Sequence, residues 1–187
     1  MSGTISQEDW IDEVLDFWFE HLTPTEWFAI DEATDADIRS RFGDLYTRLS
    51  GELPTEAMAA ARGVLAAVIV LDQFPRNMFR GSAKAFATDD KAMELSESAI
   101  RCGFDKELSG KERQFLYMPF QHSEDRVVQS LSIELFASLG DPEVLEYAQR
   151  HMTIIDRFSR FPQRNEALGR KSTDEEAGFL QEPGSSF

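Results

Sequence analysis

Residues 55–81 read TEAMAAARGVLAAVIVLDQFPRNMFRG. Met58, Ala61, Leu65, Val68 and Leu71 recur every three or four residues, the spacing of one face of a helix. Thr55 stands in a capping position ahead of them. Proline disfavours helical geometry in the residue before it, so this long apolar helix is predicted to stop near Gln73. Its unbroken apolar run, residues 64–71, is far too short to span a bilayer.

The same period extends outward in both directions, and no segment shows the alternation of a strand. Ser6 is placed to cap a first helix with the stripe Ile11, Val14, Leu15, Trp18 and Leu22. Thr34 is expected to open a second, with Ile38, Phe42, Leu45 and Leu49 inward and Gly51 as its stop. Thr88 opens another that closes near Gly103. Ser109 and Glu112 form a capping box ahead of Phe115, Leu116 and Met118. Ser123 is expected to cap the next helix, burying Val128, Leu131 and Leu135 and ending at Gly140. Asp141-Pro142 pairs a cap with proline at the first helical position, and that helix runs to a second Phe-Pro. Ser172 and Glu175 suggest a last capping box before Phe179 and Leu180. The expectation is an all-α protein of about eight helices in antiparallel pairs. It reads as a single domain over residues 1–187, with an ordered core over about 6–181 and a flexible tail at 182–187. The tetratricopeptide consensus is not visible, yet a solenoid-like array of helix pairs fits without it.

A chain of 187 residues buries roughly 70% of its unfolded surface, enough for one core without disulfides or metal. Its single cysteine, Cys102, cannot form an internal disulfide, and the start has neither the basic nor the apolar region of a secretory signal. These features predict a cytoplasmic protein. The net charge of −15 argues against nucleic acid and anionic membranes as partners. Residues 1–60 carry 14 acids and 3 bases, whereas residues 150–171 carry six bases and two acids. A basic island in an acidic chain suits a small anionic ligand or an acidic peptide segment, or else a solvated helix face.

Two stretches rhyme. DQFPRNMFRG at 72–81 and SRFPQRNEALGR at 159–170 each run Phe-Pro, Arg-Asn and a further Arg, and Asn77 and Asn165 are the only asparagines. One reading makes both clusters helix endings: Arg and Asn bond the free terminal carbonyls while Phe74 and Phe161 pack back. Arg160 with Asp156, and Arg150 with Glu146, would then be ordinary pairs one turn apart. The other reading makes them two halves of one site. Arg80 and Arg164 have no acidic residue three or four positions before them, which leaves these arginines, with Arg76 and Arg170, to grip an anion.

His151 falls on the apolar stripe Val144, Tyr147, Ile154 and Phe158, so a buried, hydrogen-bonded histidine competes with a functional one. His122 lies in MPFQHSED, just before a helix start. Glu124 is expected to lean inward and Asp125 outward; either they offset a helix dipole or Glu124 pairs with a histidine for proton transfer. His122, Glu124 and His151 are also weak candidates for metal, but no ligand motif is present and no cofactor is expected. Walker, G-x-G-x-x-G, G-x-S-x-G and C-x-x-C motifs are absent, and Cys102 is not read as a nucleophile. Trp10, Trp18, Phe19, Trp27 and Phe28 are read as core aromatics.

Taken in order, DFWF, LDQFPRNMFRG, FLYMPFQHSED, RFSRFPQRN and LGRKSTDEE resemble a bacterial family, domain of unknown function 924, from about Trp10 to Leu180. The resemblance implies an all-helical, tetratricopeptide-like fold and no particular activity. The family pattern falls on Asp72, Gln73, Arg76, Asn77, Arg80, His122, Glu124, Asp125, His151, Arg157, Arg164, Asn165 and Arg170. The chain departs from it at Ser159, where the family usually has glycine, and at Gln163, where it often has histidine. A tryptophan expected soon after Gly51 is also absent.

Three functions are left open. In the first, an Arg/Asn/His-lined polar pocket binds a small anion or a peptide carboxylate. Arg76 and Arg164 clamp it, Asn77 and Asn165 orient it, and His122 or His151 donates a hydrogen bond. In the second, a hydrolase uses His122 or His151 with Glu124 as an acid–base pair. In the third, the chain is a structural or interaction module whose arginines only close helices.

Overall fold

The structure is a computed structural model that describes residues 9–183 and residue 185. The expected cap at Ser6, and Gly184, Ser186 and Phe187 of the expected tail, lie outside the described residues. Every described element is helical, with no strand among the described residues. The helices are α1 (Asp9–Asp16), α2 (Glu32–Gly51), α3 (Glu56–Ala59), α4 (Ala61–Val68), α5 (Phe74–Met78), α6 (Asp89–Cys102), α7 (Gly110–His122), α8 (Arg126–Ala137), α9 (Pro142–Phe158) and α10 (Asp174–Phe179). Chain neighbours α6, α7, α8 and α9 pack in succession, and α4 packs against α1, α6 and α7.

The stretch that opens this account forms the axis of the core: every residue from 63 to 75 is buried. Its helix does not begin or end where proline and periodicity predict. Ala60 is extended, so α3 is a separate turn folded back on α4, and Met58 is left exposed. Gly63 permits this approach, because a Cβ there would sit 2.3 Å from the Glu56 carbonyl oxygen. At the other end the helix passes through Pro75. A π-helical turn, Ile69–Gln73, carries it into α5, and the Phe74 amide reaches back to the Ile69 carbonyl. Proline lacks an amide proton, which frees the carbonyl four residues earlier. The Leu71 carbonyl is taken by the Thr88 hydroxyl at 2.6 Å. The Asp72 carbonyl is taken by the Arg76 guanidinium, one turn on, at 2.5 Å.

The predicted caps hold at Ser109–Glu112 and at Asp141-Pro142. Elsewhere a nearby side chain wins the position. Asp31 caps α2 and accepts from Thr34. Asp125, not Ser123, caps α8, whose buried face is Gln129, Ser132 and Phe136 while Leu131 is exposed. Thr173 and Glu176 form the last capping box, one residue beyond the expected pair. Of the aromatics assigned to the core, Phe28 lies at the surface. The main core spans Trp10 to Ala148; a smaller cluster of Ile154, Ile155 and Phe161 is flanked by Phe158 and Phe179.

At the second Phe-Pro, α9 ends at Phe158, and Ser159 takes the left-handed conformation with φ 58°. It is the only non-glycine residue at positive φ among the described residues. Steric cost at such a position explains why the resemblance implies glycine there. Ser159→Gly is therefore expected to raise stability by about 0.5–1 kcal/mol, read as a higher urea midpoint. Gly63→Ala should act oppositely, lowering stability by about 1–3 kcal/mol because the clash is with backbone; an unchanged midpoint would contradict the close approach of α3.

Candidate functional site

The two rhyming corners converge through their arginines and diverge through their asparagines. Arg76, on α5, grips Asp89 with both terminal nitrogens, at 2.9 and 3.0 Å. Arg164, at the end of the 3-10 turn Pro162–Arg164, approaches the same carboxylate at 3.5 Å. Its guanidinium lies over the rings of Phe86 and Phe161, at 4.7 and 4.6 Å from their centroids. Asp89 is the first residue of α6, and the Thr88 bond to Leu71 fixes the backbone beside it.

Beneath this triad lies Asp72, fully buried in the π turn. Its carboxylate accepts from Gln73 at 2.6 Å and from Nδ1 of His122 at 2.8 Å, and stands 3.4 Å from Arg76. Burial works to raise the Asp72 carboxyl, but Arg76, His122 and Gln73 hold it well below the usual carboxylate range. His122, the last residue of α7, is pushed below the ordinary imidazole value by burial and by Arg76, against the pull of Asp72. It is therefore neutral at pH 7, with its proton on Nδ1 toward Asp72 and the lone pair on Nε2. Burial, then the like charge of Arg76, draw Arg164 down to about 10. Arg76 is raised, because Asp72 and Asp89 outweigh the burial that would lower it.

His151, on α9, stands behind His122 with ring centroids 6.4 Å apart. It is buried, and its Nδ1 bonds the Tyr147 carbonyl at 2.8 Å. Gln121 approaches its Nε2 at 3.4 Å, and Phe161 meets its ring edge-on. Burial pushes His151 down to about 3. It is a packed, hydrogen-bonded core histidine.

The remaining candidates hold the fold together. Asn77 donates to Asp35 at 2.8 Å, and Arg80 pairs with the same carboxylate, tying α5 to α2. Glu124 does not pair with a histidine. It accepts two bonds from Arg170, at 2.6 and 2.9 Å, and one from the Phe161 amide at 2.7 Å. Arg170 also donates to Asn165, which donates in turn to Ser172. Burial raises the Glu124 carboxyl, but those bonds bring it below its ordinary value. Arg157 pairs with Glu175, and Arg160 with Glu176 rather than Asp156, whose partner is Arg126. Arg157, Arg160 and Arg170 of the basic island are thus paired with acids from other segments. Among the described residues no group of three or more His, Cys, Asp or Glu could hold a metal ion, so His122, Glu124 and His151 form no ligand set.

Sequence reasoning missed Asp89 and Phe86. Asp89-Asp90 behind Thr88 reads simply as an acidic first turn, and only Pro75's vacated carbonyl shows what Thr88 is for. Two surface cavities, of about 300 and 370 Å³, lie elsewhere, beside Trp27 and Lys111 and beside Leu53 and Phe104. The arginine cluster is filled by its own carboxylate.

The family model for bacterial proteins of unknown function, DUF924, matches residues 14–184. The chain belongs to this family. A solved structure of a protein of unknown function from Agrobacterium tumefaciens is similar to this DUF924 chain at 37% identity and a TM-score of 0.87. The likeness covers 91% of this chain and 96% of that one. No curated protein matches. The side-chain oxygen of Gln163, next in the chain to Arg164, is buried without a hydrogen-bond partner.

His151 supplies a pH test of the packing. Its folded value of about 3 lies below the ordinary 6.5, so the unfolded chain binds the extra proton between those values. Its contribution is complete above pH 6.5 and is lost as pH falls toward 3; at pH 5 the loss is about 2 kcal/mol. His122 acts with the same sign. Urea denaturation at pH 7 and pH 5 should show this drop in the wild type and a smaller one in His151→Gln; equal drops would exclude His151 as its source.

Proposed function

We propose that the protein binds a small anionic ligand, through a phosphate or carboxylate group that can belong to a peptide end, between Arg76 and Arg164. The observation that carries this reading is the state of Arg164. Its side chain is 11% exposed, yet among the described residues it makes one ion pair, at 3.5 Å, and no hydrogen bond. A guanidinium has five donors, and those of Arg164 have no protein acceptor at hydrogen-bond distance among the described residues, which leaves them to a ligand oxygen. An anion reaching this point satisfies them. Arg76 differs, because Asp72 and Asp89 already hold its fork in one orientation. It supplies fixed positive charge, and Arg164 supplies the vacant donors. Asn77 and Asn165 orient nothing here, since both are bonded elsewhere. We also read the helical array as tetratricopeptide-like and the protein as cytoplasmic, from its helix-on-helix packing and single cysteine. No helix among the described residues is long and apolar enough to cross a membrane.

A hydrolase is the second reading, and one contact favours it. Asp72 holds the His122 proton on Nδ1, which leaves Nε2 as a base in the field of Arg76, a cation able to stabilise a developing negative charge. Asp72, rather than Glu124, is the carboxylate of that pair. In this case His122→Gln abolishes turnover of a model ester or phosphomonoester while anion binding survives.

Thermal shift and calorimetry with inorganic phosphate, sulfate, acetate and succinate at matched ionic strength test the binding reading. One anion class should raise the wild-type Tm by about 5 °C or more at a hundredfold excess over Kd, and Arg164→Ala should abolish the response. If no anion moves the Tm and Arg164→Ala merely melts lower, Arg164 is a structural corner and the proposal fails.

A further inference from the structure

The cluster contains an anion already, and it is part of the chain. Asp89 sits on Arg76 in the two-pronged arrangement that arginine makes with carboxylates, and it leans on Arg164 from the same position. Arg76 therefore has a planar, two-oxygen seat, complete in geometry and occupied from within. We infer that the Asp89 carboxylate is an internal stand-in for the ligand, and that a ligand carboxylate takes its place on Arg76 and Arg164 when Asp89 turns to solvent. This rests on the binding reading above and deepens it by naming the chemical class and a built-in competitor.

Two features let Asp89 leave without disturbing the helix it begins. Its side chain is already 20% exposed, so rotation about one bond moves the carboxylate into water. The backbone stays in place because Thr88 is tied to the Leu71 carbonyl, across to the buried π turn. In water the carboxylate remains at the first turn of α6, where negative charge is favourable. No cation is stranded by the exchange, since the incoming carboxylate replaces one pair of oxygens with another.

Charge selects the ligand class. With Asp89 withdrawn, Asp72, Arg76 and Arg164 leave one net positive charge beside a neutral His122. A carboxylate neutralises that charge. A phosphate dianion overshoots it and has to take up a proton, on its own oxygen or on His122, where burial and Arg76 both oppose it. The seat that Asp89 fills is thus matched to a single carboxylate.

Calorimetry with succinate, acetate and inorganic phosphate, on the wild type, Asp89→Asn and Asp89→Asn/Arg164→Ala, tests the inference. Asp89→Asn keeps the shape and removes the competing charge, so its affinity for succinate should rise at least tenfold over the wild type. The double variant should lose that gain. Carboxylates should outrank phosphate in Asp89→Asn at pH 7. If the wild type binds carboxylates and Asp89→Asn binds them no tighter, the stand-in is wrong while the anion site survives. If neither binds any anion, both readings fall together, and a preference for phosphate overturns the assigned class. Should Asp89→Asn not fold, the wild type suffices: saturation with succinate should move the side-chain carboxyl ¹³C resonance of Asp89, and an unmoved resonance overturns the inference.

Discussion

Proline at position 75 removes one amide proton from the most buried helix of the molecule, and the arrangement of the charged groups follows from that loss. The Leu71 carbonyl, left without its helical donor, lies among apolar side chains where an unmet acceptor costs on the order of 1–3 kcal/mol. Thr88 meets it from another segment, and so fixes where α6 begins and where Asp89 stands. The Asp72 carbonyl is met by Arg76 from the same helix, which sets the direction of the guanidinium fork toward Asp89. The π turn that accommodates proline also turns Asp72 toward His122. A helix-breaking residue has become the organising centre of a polar cluster, because the Leu71 and Asp72 carbonyls beside it have each found a side-chain partner.

Those partners explain how so acidic a chain uses its few cations. Arg76, Arg80, Arg160 and Arg170 each hold a carboxylate across a gap between segments, and none projects freely into water. Removing one member of a buried pair typically costs about 3–5 kcal/mol, since the other charge is left stranded, and among these the cost falls on Arg76, whose neighbour Asp72 has no exposure. Arg164 stands apart, with two aromatic rings and a single distant carboxylate in place of hydrogen bonds. The contrast among neighbouring arginines, more than their number, separates a point of recognition from points of support.

Much of the fold was legible because helical period and capping are local. The all-helical class, the capping box at Ser109 and the proline start at Pro142 required only a few adjacent residues. Errors at Thr34, Ser123 and Ser172 were also local: each lies within three residues of a better-placed competitor, and geometry rather than residue type decides between them. The passage of the helix through Pro75 was illegible, because it depends on a threonine from another element. The candidate site divided similarly. The rhyme singled out Arg76 and Arg164, but the asparagines that made the rhyme conspicuous serve separate anchors. Asp89, the residue joining the two arginines, has no mark in the sequence beyond acidity at a helix start.

The two arginines also belong to different parts of the hydrophobic interior. Arg76 rises from the large core, whereas Arg164 rests on Phe161, within the small cluster of Ile154, Ile155 and Phe161. Opening that small cluster exposes far less apolar surface than global unfolding, so it is the less expensive way to part the two arginines. Whatever bridges them acts as a clasp between a durable body and a more easily released terminal segment. Loss of the bridge, as when Asp89 gives up its charge and no ligand carboxylate replaces it, would then be recorded as faster amide exchange around Phe161, far along the chain from Asp72, with no change in the exchange of the central helix.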